Sequence, residues 1–344
     1  MKIKDWLGIL TSIALLAWLL HSYDFEDVWR SLSVADFCYF IPLPALVILN
    51  FSLRALRWRG LFFRTRPRSL ANVFNAMMTG YLLNNILPAR AGELVKIVML
   101  ARMEALSKSA ILATVTIEKI LDLFVIMLLL VYVLMFHPFP AWLEHAGNVV
   151  GIVTLLALGA MVLLKLYGES FVALAIRAAG FLPQSSVVRL NAAGTAFVNG
   201  ISELFKGANA ARFFAFTFVI WVLELLITSL VAQSFQLNPS FDGLLFVILV
   251  IALGTVVPAS PGYIGTYEFF GVSALALLGI KGGAALGFII ALHFVNFAGS
   301  SAIGLCCLTL QNAWGLVGNR KALGNDGSLI DDVGSDQKHT DKAR

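Results

Sequence analysis

Apolar residues fill this chain in eight long segments, and the way two of those segments are interrupted governs the reading of the rest. Six are unbroken and of membrane-crossing length: Trp6 to Tyr23, Phe37 to Leu53, Ile111 to Phe136, Ala146 to Leu164, Phe213 to Phe235, and the last span, within Gly282 to Gly318. Crossing a bilayer takes about 20 apolar residues as an α-helix. Strand-like alternation is absent, so the elements predicted are helices and not the strands of a barrel.

The other two segments, about 69–102 and 243–280, are broken in the middle. The first runs uncharged from Ser69 to Ala89, then places Arg90, Glu93 and Lys96 within one short span before apolar residues resume. Pro88 lacks the N–H that a helix interior needs and pushes Leu87 out of the α region, and Gly92 weakens the helix again. The second break, Val257-Pro258-Ala259-Ser260-Pro261-Gly262, repeats the Pro-Ala-x-x-Gly spacing of Pro88 to Gly92, and Glu268 follows it. Paired interruptions in two halves of a membrane chain point to a transporter-type site at the midplane.

Charge turns this pattern into a topology. Arg54, Arg57, Arg59, Arg64, Arg66 and Arg68 follow the second span and place that loop, and with it the N-terminus, in the cytoplasm. If the first broken segment dips in and returns, the basic loops around Lys108 and between Lys165 and Arg212 also stay cytoplasmic; the second, three full spans later, then opens to the outside. The expected fold is therefore an all-α polytopic membrane protein with six full transmembrane helices plus two inverted re-entrant broken-helix hairpins. It forms a single transmembrane domain over 1–318, with an amphipathic interfacial helix at about 186–206 and a disordered cytoplasmic tail over 319–344. Both termini are expected in the cytoplasm of an inner (plasma) membrane protein. Overall, 59% of the 344 residues are hydrophobic and 13% charged, against about half and a quarter in soluble domains. The excess of 25 Lys+Arg over 20 Asp+Glu lies in orienting loops and calls for no nucleic acid. Cys38, Cys306 and Cys307 lie in apolar runs and suit packing.

Candidate chemistry concentrates in the breaks. Asn84, Asn85, Pro88, Arg90, Gly92, Glu93 and Lys96 form the first group. Arg90 suits phosphate as a planar fork and Lys96 as a point charge. Glu118 and Asp122 share one helix face, and a charge at the bilayer centre costs about 2.5–3.5 kcal/mol, so both are expected to face a cavity or a cationic partner such as Lys119, Arg90 or Lys96. Pro258, Ser260, Pro261, Gly262, Gly265, Tyr267 and Glu268 form the second group. Half-helix N-termini after Pro88 and Pro261 would aim N–H groups at an anion. Glu224 and His293 are weaker candidates. No spacing suggests zinc, a nucleotide loop or a catalytic triad, so no metal or cofactor is expected.

Three stretches together carry a resemblance: Asn84 to Glu93, Glu118-Lys119-Ile120-Leu121-Asp122, and Pro258 to Glu268. They resemble the lysylphosphatidylglycerol synthase transmembrane-region family, also described as flippase-like, over roughly residues 5 to 315. Lys119 stands where an arginine is common there, and Tyr263 where a second glycine is common. The resemblance implies handling or movement of lipids such as aminoacylated phospholipids, hopanoids or polyprenyl-linked sugars. The cytosolic aminoacyl-transferase domain of full synthases has no counterpart here, so aminoacyl transfer by this chain alone is not expected. The function expected is translocation of an anionic phospholipid or lipid-linked headgroup, with membrane lipids as partners. Two other readings stay open: a membrane-embedded transferase using Asp122 or Glu118 as base, and a non-catalytic partner of a lipid-modifying enzyme. A homo-oligomer is also open.

Overall fold

The computed structural model describes residues 3–62, 68–136, 141–181, 183–207, 209–255 and 260–326. Among these the chain is all helical. The first helices are α1 (Ile3–Ser22), α2 (Phe25–Ser33), α3 (Leu43–Gly60), α4 (Leu70–Ile86) and α5 (Ala91–Met103). Then come α6 (Lys108–Phe136), α7 (Ala141–Ala178), α8 (Gln184–Leu204) and α9 (Asn209–Ser234). The last are α10 (Phe241–Gly254), α11 (Thr266–Leu277) and α12 (Gly283–Asp326). Among the described residues four stretches are long and apolar enough to cross a membrane: Phe37–Gly60, Gly151–Ala178, Asn209–Ser234 and Gly283–Leu310. Large apolar side chains such as Ile152, Leu155, Leu156, Val219 and Phe294 lie on the outside. A water-facing surface avoids such a patch, whereas lipid accepts it.

Local sequence sets the helix ends. Asp24, Ser69 and Ser240 cap α2, α4 and α10 by accepting from the backbone N–H groups of Glu26, Asn72 and Gly243. Pro88 ends α4: Leu87 is extended, with φ −96° and ψ 143°. Arg90 then turns the chain in the left-handed region, at φ 53°, and α5 starts at Ala91. The two arms pack side by side along their length. A Cβ at Gly92 would overlap the Gly80 carbonyl oxygen, so only glycine lets the backbones approach this closely. The second break, of which 256–259 lie outside the described residues, also carries a short turn. A short 3-10 turn, Pro261–Tyr263, and Gly265 at φ 88° separate α10 from α11, and the Phe270 ring fills the space at Gly254.

Among the described residues two apolar clusters form the core. One joins the C-terminal half of α9 to α10, α11 and α12 through Val231, Phe246, Leu275 and Phe288. The other joins α3, α4, α5, α6 and α8 through Trp58, Met77, Leu100 and Ile117. Phe51 and Ile303 touch both. Between the clusters the tips of the two hairpins meet, with the Pro88–Arg90 turn against the Pro261–Tyr263 turn.

Several elements depart from the expected pattern. α3 runs on to Gly60 and carries Arg54, Arg57 and Arg59 as helix residues rather than loop residues; Arg64 and Arg66 lie outside the described residues. α7 continues well beyond Leu164, to Ala178, with a kink at Tyr167. The face of α8 carrying Ile201 and Leu204 is buried against protein, while Leu190 is exposed. α12 reaches Asp326, past the start of the polar tail, and 327–344 lie outside the described residues. Cys307 is buried, but Cys38 and Cys306 are on the surface.

Candidate functional site

A cavity of about 300 Å³ lies where the two hairpin tips meet. Its wall is polar in an otherwise apolar protein. α4 supplies Tyr81, Asn84 and Asn85, the first break supplies Arg90, and α5 supplies Glu93. α6 contributes Lys119, α3 Arg54 and α9 Glu224, while Gly262, Tyr263, Tyr267, His293, Asn296 and Ser300 close the other side. Arg54, Arg90 and Lys119 outnumber the carboxylates of Glu93 and Glu224 among the lining residues. The cavity therefore favours an anion.

Each cation is held differently. Arg90 donates to the Thr255 carbonyl at the end of the second hairpin's first arm. Its guanidinium lies 5.3 Å from the centre of the Tyr263 ring. Glu93 takes Lys96 at 2.7 Å and Lys119 at 3.5 Å, and no described contact joins it to Arg90. Arg54 meets Glu224 at 3.4 Å and donates to Asn50 Oδ1 at 2.6 Å. Asn85 donates to Ser300 and Ser301 of α12 at 2.9 and 2.8 Å. The side-chain oxygen of Asn84 is buried with no hydrogen-bond partner.

Glu118, Asp122 and Lys96 do not line this cavity. Arg57, fully buried, holds both carboxylates: it grips Asp122 with two bonds of 2.6 and 3.2 Å, meets Glu118 at 3.1 Å, and donates to Thr217 at 2.8 Å. Of the cations expected from sequence, Lys96 and Lys119 add their charge beside Glu118, but the hydrogen bonds come from Arg57. Lys96 is buried beneath the cavity, 5.2 Å from the Trp58 ring centre and 5.9 Å from that of Tyr81. Its ammonium is spent on Glu93 and these ring faces.

The second group also divides. Gly262 and Tyr267 line the cavity; Glu268 lies behind it. One Glu268 oxygen accepts from the Gly265 N–H at 2.7 Å, capping α11 as its third residue, and the other meets His293 Nδ1 at 2.5 Å. α11 thus begins at Thr266 with this carboxylate at its N-terminus and not directly after Pro261. Ser260 donates to the Ile264 carbonyl, and its N–H donates to Ser12 of α1 at 2.8 Å. Pro88, Gly92, Pro261 and Gly265 shape the two breaks, and Pro258 lies outside the described residues. Among the described residues no cluster of three metal-ligating side chains occurs.

The family model for the Lysylphosphatidylglycerol synthase TM region matches residues 6–304. The chain belongs to this family. No curated protein and no solved structure matches it. Membership makes it a membrane protein linked to phospholipid modification or transport. The matched region spans both hairpins and the whole cavity wall.

Sequence reading did not place Arg54 and Arg57 at the site, and it gave Lys119 only as a partner for Glu118 or Asp122. The first two were absorbed into a topology signal because six arginines cluster within 54–68. A signal for Lys119 was present. It stands about 100° around the helix from Glu118, so it faces the cavity when Glu118 and Asp122 face Arg57.

Proposed function

We propose that this protein moves an anionic phospholipid or lipid-linked headgroup between leaflets, with the phosphate held in the cavity between the hairpin tips. The observation that carries this is the cationic excess of a polar cavity enclosed by apolar helices. Each intramembrane charge is costly, so a cluster of unmatched sign needs an anionic occupant to balance it. Arg90 offers the planar donor fork for the phosphate, Lys119 offers a point charge, and Asn84 and Asn85 offer amides for headgroup hydroxyls.

In this reading both hairpins are re-entrant and enter from opposite sides, alongside six full spans in a single transmembrane domain. The arms α4, α5, α10 and α11 hold 17, 13, 14 and 12 residues. At about 1.5 Å per residue, all four fall short of a hydrocarbon core about 30 Å thick. Non-helical backbone at such depth needs to be buried in protein or to line a wet cavity, which both breaks do. Arg57, Glu118 and Asp122 lie outside the cavity lining and brace the helices that form it. The transferase reading is less well supported, because its candidate bases, Glu118 and Asp122, are both engaged by Arg57.

The test is leaflet exchange in vesicles of phosphatidylethanolamine and phosphatidylglycerol, using fluorescent phosphatidylglycerol and a membrane-impermeant quencher. Wild-type protein should speed its exchange, and fluorescent phosphatidylcholine should exchange more slowly. Arg90→Ala should lower apparent affinity by about 10- to 100-fold, the equivalent of one charge-assisted hydrogen bond, and Arg90→Lys by less. Equal exchange of the two lipids, or unchanged exchange in Arg90→Ala, would overturn the proposal.

A further inference from the structure

We propose that His293 and Glu268 form a proton-binding site that holds the second hairpin tip in place and couples lipid movement to protons. This rests on the translocation reading above and supplies its driving ion.

The argument is one of hydrogen-bond accounting. His293 projects from α12 into the tip of the second hairpin. Its Nε2 lies 2.8 Å from the Gly262 carbonyl oxygen, and its Nδ1 lies 2.5 Å from a Glu268 oxygen. A carbonyl oxygen can only accept, so Nε2 carries a hydrogen. The Nδ1 contact then needs a second hydrogen between the ring and the carboxyl. Either the imidazolium faces a carboxylate, or a neutral ring accepts from a protonated carboxyl. In both cases the pair is net neutral and holds one proton more than neutral histidine and ionised glutamate do together.

Removing that proton leaves two alternatives, and each breaks a contact. With hydrogen on Nε2, the Nδ1 lone pair faces the Glu268 carboxylate. With hydrogen on Nδ1, the Nε2 lone pair faces the Gly262 carbonyl. One releases Glu268, the other releases Gly262. Both residues are structural pivots of the break. Gly262 sits at φ 66° with the Phe297 ring closing the space where a Cβ would be. Glu268 caps α11 through the Gly265 N–H. Protonation of one pair is thereby tied to the geometry of the tip against which Arg90 and Asn85 rest.

The surroundings suit a proton that comes and goes. His293 lines the polar cavity, which gives the site a path to water. The Tyr267 ring stacks on the imidazole at 4.2 Å, and Phe297 meets it edge-on at 6.2 Å. The charged groups facing the same cavity come from the other packed elements: Glu224 of α9 with its partner Arg54 of α3, Arg90 of the first break, Glu93 of α5 and Lys119 of α6. Tyr81 of α4 and Tyr263 of the second break also face it. α1 presents Ser12 and apolar residues to this region, and α10 carries its one charge, Asp242, at the far end of its helix. An anionic headgroup arriving beside Arg90 and Lys119 adds negative charge to the cavity, which favours the protonated pair. Lipid and proton therefore favour each other's binding, as reciprocal linkage requires.

Glu268→Gln is the informative variant. Its amide oxygen can still accept from the Gly265 N–H, and its amide nitrogen can donate to a neutral Nδ1, so both contacts survive without a removable proton. Two measurements test the proposal on the full chain. The first follows the imidazole nitrogens of His293 by NMR of protein labelled with 15N-histidine, assigned by loss of the signal in His293→Gln, from about pH 5 to pH 9, the range in which histidine environments titrate. The wild-type signal should move with pH, and that movement should vanish in Glu268→Gln. A wild-type signal that stays flat would overturn the proton site. The second follows fluorescent phosphatidylglycerol in the same vesicles under an imposed pH gradient. One coupled proton should bias the leaflet distribution by up to about tenfold per pH unit in wild type, and the bias should fall to onefold in Glu268→Gln. Exchange that ignores the gradient in wild type would overturn the coupling while leaving the translocation reading intact. A titrating His293 in a protein that exchanges no lipid would overturn the translocation reading, and the coupling with it, while leaving the proton site standing.

Discussion

Replacing Arg57 by methionine removes the cation that hydrogen-bonds two carboxylates, Glu118 buried and Asp122 partly buried. The Arg57 side chain is 0% exposed, that of Glu118 4% and that of Asp122 19%. Methionine fills similar volume but deprives both acids of their guanidinium hydrogen bonds, and Thr217 loses the donor it accepts from. Breaking a buried ion pair by deleting one member costs about 3–5 kcal/mol, because the remaining charge stays buried and uncompensated. Glu118 keeps the charges of Lys96 and Lys119 beside it and Asp122 is partly exposed, so Arg57→Met should fall at the lower end of that range. Arg57→Lys keeps the charge but loses the two-point grip on Asp122, and should cost about 1.5–3 kcal/mol, the weight of one charge-assisted hydrogen bond. Adding Glu118→Gln and Asp122→Asn to Arg57→Met should recover most of the loss, since amides need no counter-charge. Reversible unfolding of purified protein in mixed detergent micelles, followed by tryptophan fluorescence, measures all four proteins. Trp58, which donates to Thr114 at 3.0 Å on the same two helices, reports on this contact. An Arg57→Met protein within about 0.5 kcal/mol of wild type, the spread of an ordinary surface change, would refute the structural role of the triad.

Two further outcomes follow from the hairpins. Gly92→Val should destabilise the protein by at least the 1–3 kcal/mol typical of overpacking (about the minimum, since the clash is with backbone) and should abolish lipid exchange, as read by unfolding and by the vesicle assay; near-normal stability would show that α4 and α5 are not in backbone contact. For the re-entrant arrangement, single cysteines at Lys108 and Gly207, in a background lacking the native cysteines, should resist an impermeant thiol reagent outside intact cells, while one at His145 should react. Strong outside labelling at Lys108 would mean that the first hairpin crosses the membrane.

What the sequence made legible was local. Pro88 and the Pro261-Gly262 pair announce breaks because proline and glycine act on their own backbone, and Asn84, Asn85, Arg90 and Glu93 could be named as neighbours of such a break. Pairing of the two breaks was legible as well, because their spacing repeats. Long-range partners were not. Arg57 finds Glu118 and Asp122 more than sixty residues away, and nothing near Arg57 separates a buried arginine from the topology-setting arginines beside it. Glu268 illustrates a different limit. A lone acid after a broken segment suggests a ligand-facing charge, whereas its place as third residue of α11 makes it a helix cap, and that place depends on Gly265 turning at positive φ. His293 stood out only weakly in a helix rich in small side chains, and only the fold brings Glu268 and Gly262 to its two nitrogens.

Lipid retained by the purified protein tests the central claim most directly. Native mass spectrometry of gently solubilised protein, offered equal amounts of phosphatidylglycerol and phosphatidylcholine, reads which headgroup the cavity prefers. Wild type should hold phosphatidylglycerol in clear excess. Arg90→Ala combined with Lys119→Met should lose that preference while the protein stays folded, because the cavity then keeps Arg54, already engaged by Glu224, as its remaining lining cation. Equal retention of the two lipids by wild type, or an undiminished preference in the double variant, would contradict an anionic headgroup site between the hairpin tips.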